Sequence, residues 1–268
     1  MRHSGPFFVW GPFSLRLGSL LLILVAFADA GVTRQDRASG VPSTQESSTP
    51  SPAIVIGFLG GFVRHNNLKH SEVQLAARLR KDYPAGVDVE TFESYHEERA
   101  LKRLLKLLDT DHDGKLSPDE KQNARIIIYG HSWGGAEAIL LARGLEKNGI
   151  PVLLTIQIDS ISRLHQNDSV IPANVSEGVN FYQINGRMHG QSKIAAADPK
   201  RTNIIGNFKL DYAGKPYECH GYPWYDHVFG KAHTQIECDA TVWARAEALI
   251  RMKLSPAAPD AANHSAQQ

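Results

Sequence analysis

The chain has 268 residues, with 29 Lys and Arg against 28 Asp and Glu, for a formal net charge of +1. A balance this close to zero argues against a general polyanion binder, and no nucleic-acid partner is expected. It also leaves no basic face for an anionic membrane. The length is enough for one domain with a full hydrophobic core.

The N-terminus reads as a targeting segment. Arg2, His3 and Arg16 precede the apolar run "LGSLLLILVAFADA", and Ala28-Asp29-Ala30 is a small-residue cleavage site. The run is short for a transmembrane span of about 20 apolar residues. Residues 1–30 are therefore assigned as a signal peptide, with an uncleaved anchor as the alternative. Residues 31–52 are rich in Ser, Thr, Pro and Gly without an apolar period, the composition of a disordered linker. The chain is thus expected to be secreted, or periplasmic in a bacterium. No stable membrane span is expected once the signal is removed. Export makes a disulfide between Cys219 and Cys238 plausible, although sequence leaves their separation open.

The folded domain is expected over 53–254. "AIVIGF" (53–58) reads as a buried strand, and 71–83 as a helix with Ser71 as a possible N-cap. "VDVETF" (87–92) alternates like a strand. Residues 97–108 form an amphipathic helix with Leu101, Leu104, Leu105 and Leu108 on one face. "RIIIY" (125–129) is a second buried strand, followed by an Ala- and Leu-rich helix over 134–147. Strands are expected at 152–158 and 179–184, and a closing helix at 239–253. The tail, 255–268, is Pro- and Ala-rich and expected to fray. Alternating strands and helices predict an α/β domain whose mostly parallel sheet carries helices on both faces. Active sites in such sheets lie at the carboxyl ends of the strands.

Two motifs carry chemistry. The first is "DTDHDGKLSPDE" (109–120), which fits the EF-hand loop: acidic side chains at positions 1, 3 and 5, Gly at 6 and Glu at 12. The calcium ligands it offers are Asp109, Asp111, Asp113, Lys115 through its carbonyl, Ser117 and Glu120. The loop is single, and few residues separate it from the strand at Arg125. A structural rather than catalytic Ca2+ is expected.

The second motif is Gly130-His131-Ser132-Trp133-Gly134, which fits G-x-S-x-G. It follows the strand "RIIIY" and opens a helix, the context of a nucleophile elbow. The helix N-terminus behind the serine favours developing negative charge.

From 53 to 253 the chain resembles the α/β-hydrolase superfamily, its serine lipases and esterases in particular. The resemblance rests on the elbow, on "GFLGGF" (57–62) and on the order serine, acid, histidine. It implies that fold, with the EF-hand-like loop inserted before the nucleophile strand. It also implies a triad of Ser132, Asp159 at the end of "VLLTIQI", and His233 in a loop leading into the final helix. His220 and His227 are the reserve candidates for the base. The oxyanion hole is expected from the backbone N–H of Trp133 and of Phe62, or of Gly61, since the histidine usual before that glycine is missing. The implied function is hydrolysis of a small-molecule or lipid ester through an acyl-enzyme. A non-catalytic calcium-binding protein on the same fold and an acyltransferase are the alternatives. The segment 160–177 is a candidate lid or specificity loop, and "ECHGYPWYDH" (218–227) a candidate pocket lining.

Overall fold

The structure, a computed structural model, describes residues 53–216, 219, 221–222 and 224–255, with backbone alone for 224–229. The assigned signal peptide, linker and most of the tail lie outside the described residues, as does His220. Nothing is described of the His227 side chain.

The chain runs β1 (Ala53–Phe58), α1 (Ser71–Asp82), β2 (Val87–Phe92), α2 (Glu97–Leu108), α3 (Pro118–Gln122), β3 (Arg125–His131), α4 (Trp133–Lys147) and β4 (Val152–Ile158). It continues with β5 (Val170–Ile171), β6 (Val175–Gln183), β7 (Ala195–Ala196), β8 (Asn203–Leu210), α5 (Trp224–Cys238) and α6 (Ala240–Leu254). Six strands form one sheet in the order β2-β1-β3-β4-β6-β8, every pair parallel. β5 and β7 make a separate two-stranded pair. The α/β class with a parallel sheet is as expected.

The central strands are buried along both faces, which explains their near-continuous apolar runs. Val55, Ile127, Leu154 and Val179 pack with Leu75 and Leu79 of α1, Ile236 of α5 and Trp243 and Ile250 of α6. Ile54, Ile126 and Val152 point the other way, against Leu104 of α2 and Ile139 and Leu141 of α4. Alternation along each strand thus serves two helical layers at once. Within the described residues, no helix is long and apolar enough to cross a membrane.

Several elements depart from the sequence expectation. Ser71 is the first residue of α1, and His70 takes the N-cap position without a side-chain cap. The elbow helix begins at Trp133, one residue early. The strand expected at 179–184 starts at Val175. Strand β8 and helix α5 were not expected at all. The segment 160–177 holds β5 and the start of β6, with Gln157 Nε2 donating to the Asp168 carbonyl at 2.9 Å.

The Cys219–Cys238 disulfide is formed, with Cα atoms 5.6 Å apart, well inside the usual range. It ties the segment before α5 to that helix's last residue.

Candidate active site

β3 delivers Ser132 at its carboxyl end, and α4 starts one residue later. Between them the chain turns so sharply that Ser132 takes φ 56°, ψ −128°. Such a turn needs small neighbours. A Cβ on Gly130 would lie 2.2 Å from the Gly134 carbonyl oxygen, and one on Gly134 would lie 2.3 Å from that of Phe58. Both obstacles are backbone and cannot swing aside. The Gly-x-Ser-x-Gly pattern is therefore a steric requirement of this turn. The Ser132 N–H donates to the Ile158 carbonyl at 3.0 Å, while the N–H groups of Gly135 and Ile161 donate to the Ser132 carbonyl, both at 3.0 Å.

The structure brings the three expected side chains into one line. Ser132 Oγ lies 2.9 Å from His233 Nε2, and His233 Nδ1 lies 2.7 Å from Asp159 Oδ2. An ionised carboxylate only accepts, so Nδ1 carries the ring proton and Nε2 accepts from the serine hydroxyl. All three side chains are buried, Asp159 completely.

His233 is not in a loop, as expected, but inside α5, just after a break at Gly230. The break is what makes the position usable. A Cβ on Gly230 would stand 3.0 Å from His233 Cβ and 3.1 Å from Met188 Cβ. The chain passes so close to the histidine there that only glycine fits comfortably.

Two residues that the sequence did not single out hold the acid. Gln183 Nε2 donates to Asp159 Oδ2 at 2.7 Å, and the Gly190 N–H donates to Oδ1 at 2.7 Å. Burial alone would raise the Asp159 carboxyl. The hydrogen bond and charge of His233, with the bonds from Gln183 and Gly190, more than offset that and hold it below its ordinary value. Asp159 itself has φ 41°, at the turn that ends β4.

The loop after β1 runs against Ser132: a Cβ on Gly60 would be 3.0 Å from Ser132 Cβ. It turns through Gly61, at φ 52°, and closes with the Val63 N–H donating to the Gly60 carbonyl at 3.3 Å. The Phe62 ring meets the Trp133 ring edge-on, centroids 5.5 Å apart. The two expected oxyanion donors thus sit on adjoining turns. Trp133 is the first residue of α4, where an N–H has no partner within the helix. A brace lies behind them: Arg163 stacks over Trp133 at 4.9 Å, pairs with Glu137 at 2.9 Å and donates to the Ser94 carbonyl at 2.7 Å. Ser94 Oγ in turn donates to the Gly61 carbonyl at 2.7 Å.

A cleft of about 820 Å³ opens over Ser132, walled by Phe62, Trp133, Ile161 and Met188. Phe62 is 82 % exposed at its edge. Behind His233 the floor is polar. The His131 ring lies 4.6 Å from the His233 ring, and His70, Glu72 and Glu237 gather next to it. Two carboxylates this close do not both ionise easily, and Glu72 is pushed up to about 8 by burial and by Glu237.

The EF-hand-like loop lies at the other end of β3. The seven residues of β3, at about 3.3 Å each, span roughly 20 Å between that end and Ser132. Asp109, Asp111 and Glu120 offer carboxylate oxygens within 4.8 Å of one another. Asp109 Oδ1 is buried without a partner, which suits a cation there. Asp113 stands outside that group, with Oδ1 accepting from the Lys115 N–H at 2.7 Å. Ser117 caps α3 and forms the capping box with Glu120. Glu120 Oε1 also accepts from the Thr110 N–H at 2.7 Å. Gly114, at φ 81°, makes the turn the motif demands.

No family model matches the sequence, and no curated protein sequence matches it. Solved structures do resemble the fold. A cutinase-like protein from Cryptococcus sp. shares 13 % identity at a TM-score of 0.39, covering 77 % of this chain and 97 % of its own. A thermostable esterase from Pseudomonas putida shares 9 % at 0.38, covering 79 % and 77 %. An acetylxylan esterase shares 11 % at 0.36, covering 76 % and 99 %. The strand order, with the elbow after the central β3 and a parallel sheet between two helical layers, is that of the α/β-hydrolase fold.

Proposed function

We propose that the protein is a serine hydrolase of carboxylic esters. The single observation that carries this is the unbroken chain from Ser132 through His233 to Asp159, at 2.9 and 2.7 Å. A binding protein on the same fold has no need of that alignment, nor of a serine in a strained turn.

In this reading Ser132 Oγ attacks the acyl carbon as His233 Nε2 takes its proton. Asp159 holds the imidazole in the required tautomer and stabilises the imidazolium. The N–H of Trp133, at the helix N-terminus, and that of Phe62 or Gly61 meet the oxyanion. His233 then returns the proton to the leaving alkoxide. Water attacks the acyl-enzyme by the same route in reverse. The apolar wall of Phe62, Ile161 and Met188 suits a hydrocarbon acyl or alcohol group, so lipid esters and small apolar esters are the substrate class. An acyltransferase would use the same parts with another acceptor in place of water.

Calcium held by Asp109, Asp111 and Glu120, with the Lys115 carbonyl and with Asp113 and Ser117 after small shifts, would fix the entry to β3. At about 20 Å from Ser132 it acts on stability rather than chemistry. The Cys219–Cys238 bridge supports an exported, secreted protein, since such bonds persist in oxidising compartments.

Labelling of the calcium-loaded protein with a fluorophosphonate, followed by mass spectrometry, tests the reading. Modification of Ser132, absent in Ser132→Ala, is expected, together with turnover of p-nitrophenyl esters. Folded protein that takes no label and turns over no ester would leave the binding-protein alternative.

A further inference from the structure

We propose that His70, Glu72, His131 and Glu237 form a binding site for a zinc-type divalent metal ion directly behind the triad. Nothing in the ester-hydrolysis reading needs these four residues, and the site stands whether or not Ser132 is acylated.

The donors converge from three elements. His70 and Glu72 flank the start of α1, His131 ends β3 immediately before Ser132, and Glu237 lies on α5 one turn beyond His233. His70, Glu72 and Glu237 each place a ligand-type atom within 4.8 Å of the others. His131 Nδ1 lies 3.7 Å from both Glu72 Oε1 and Glu237 Oε2. In a tetrahedral site with bonds of about 2.0–2.1 Å, neighbouring donor atoms stand about 3.3–3.4 Å apart. The two His131 contacts need only a few tenths of an ångström of closure, and those among His70, Glu72 and Glu237 at most about 1.4 Å, within reach of side-chain rotation. His70 Nδ1 already meets Glu237 Oε1.

A second observation points to a ligand. Both carboxylate oxygens of Glu72 and both ring nitrogens of His131 are buried with no hydrogen-bond partner, in side chains 0 % and 2 % exposed. The nearby N–H groups of Gly60 and Glu72 ease the Glu72 charge without a well-formed hydrogen bond. Four unsatisfied polar atoms in one buried pocket are rare in native proteins, and each is costly. One cation bound by Glu72 and His131 relieves both side chains at once. Two imidazoles among the donors favour zinc, or a neighbouring transition metal, over calcium and magnesium, which take oxygen alone.

The surroundings are those of a built site. Tyr222 Oη donates to Glu237 Oε1 at 3.1 Å. Tyr129 Oη donates to the Glu72 carbonyl at 2.8 Å, fixing the start of α1. His70, His131 and Glu237 border the cleft, which provides an entry path. With four protein donors the site is closed and structural. It clamps the residue before the nucleophile to the helix that carries the base, so it is a positioning device and not part of the reaction.

The experiment uses the full chain in excess Ca2+, which keeps the surface loop occupied. Metal is first stripped with a chelator, and Zn2+ or Co2+ is then titrated in. The expected result is an upward shift in melting temperature that saturates at one equivalent of Zn2+. The visible spectrum of tetrahedral Co2+ should also appear in the wild type. In Glu72→Gln and in His70→Gln the apparent affinity should fall at least tenfold and the Co2+ bands should vanish. Two results would overturn the proposal: folded wild-type protein that binds neither ion at neutral pH, or Glu72→Gln protein that keeps the full Zn2+ shift. The wild-type titration decides even if a variant fails to fold.

Discussion

Gln183 and His233 donate to the same oxygen of Asp159: Gln183 Nε2 at 2.7 Å and His233 Nδ1 at 2.7 Å. The glutamine sits at the end of β6, next to β4, whose end carries the acid. It keeps the carboxylate from rotating when the imidazole becomes charged. Gln183 also donates to the Met188 carbonyl at 2.9 Å, which ties the acid to the cleft wall.

Gln183→Leu removes one charge-assisted hydrogen bond to a buried carboxylate, a loss of about 1.5–3 kcal/mol. If half of that is felt in the transition state, kcat falls by about 4- to 13-fold. KM should change little, because Gln183 does not line the cleft. Steady-state kinetics on a soluble ester check the split, and restoration of kcat in Gln183→Asn would argue against a positional role.

Asp159→Asn should lower kcat by about 10⁴, since the amide selects the wrong imidazole tautomer. Stability has its own signature. The carboxyl is held below its ordinary value, so its contribution is complete above the unfolded value of about 4 and is lost as pH falls through the lower folded value. The melting-temperature gap between wild type and variant should be flat from pH 5 to 8 and should shrink below about 4. A gap that widened on acidification would contradict the assigned direction.

Calcium should act on stability without touching turnover. A ligand present at 100 times its Kd adds about 2.7 kcal/mol to the folded state. Chelation is therefore expected to lower the melting temperature by several degrees while kcat at 25 °C stays put. Glu120→Gln should abolish the calcium response. Calorimetry with and without chelator, paired with an ester assay, separates the two effects.

The Cys219–Cys238 bridge closes a loop of separation 19, for which chain entropy gives about 3 kcal/mol. The double variant Cys219→Ser/Cys238→Ser should lose about that much in urea denaturation. The loss should appear in activity at a lower urea concentration than in the sheet signal, because α5 carries His233.

How far sequence reached follows from how local each signal is. The path β3, Ser132, α4 was legible because an apolar run, three glycines and a helix start within a dozen residues all report on the same turn. Asp159 was legible as the carboxylate at a strand end. Helix α5 was not: its histidines and aromatics show no clean period, and Gly230 breaks it in the middle. Strand β8 escaped because "NIIGNFKL" lies at the sheet edge, with no residue fully buried and Gly206 interrupting it. The four polar residues behind the triad come from positions 70, 72, 131 and 237, a spacing that no local motif records. One signal was available: Glu237 follows His233 by four residues, the same helical face.

The strained backbone at Ser132 has one more consequence. A non-glycine residue at φ 56°, ψ −128° costs about 1–3 kcal/mol against a relaxed conformation. Glycine at that position would be free of most of the penalty. The fold alone would thus be better served by Ser132→Gly, a variant that melts higher and does nothing. A side chain at this position is thus a standing cost to the fold, which only a use for the hydroxyl would offset.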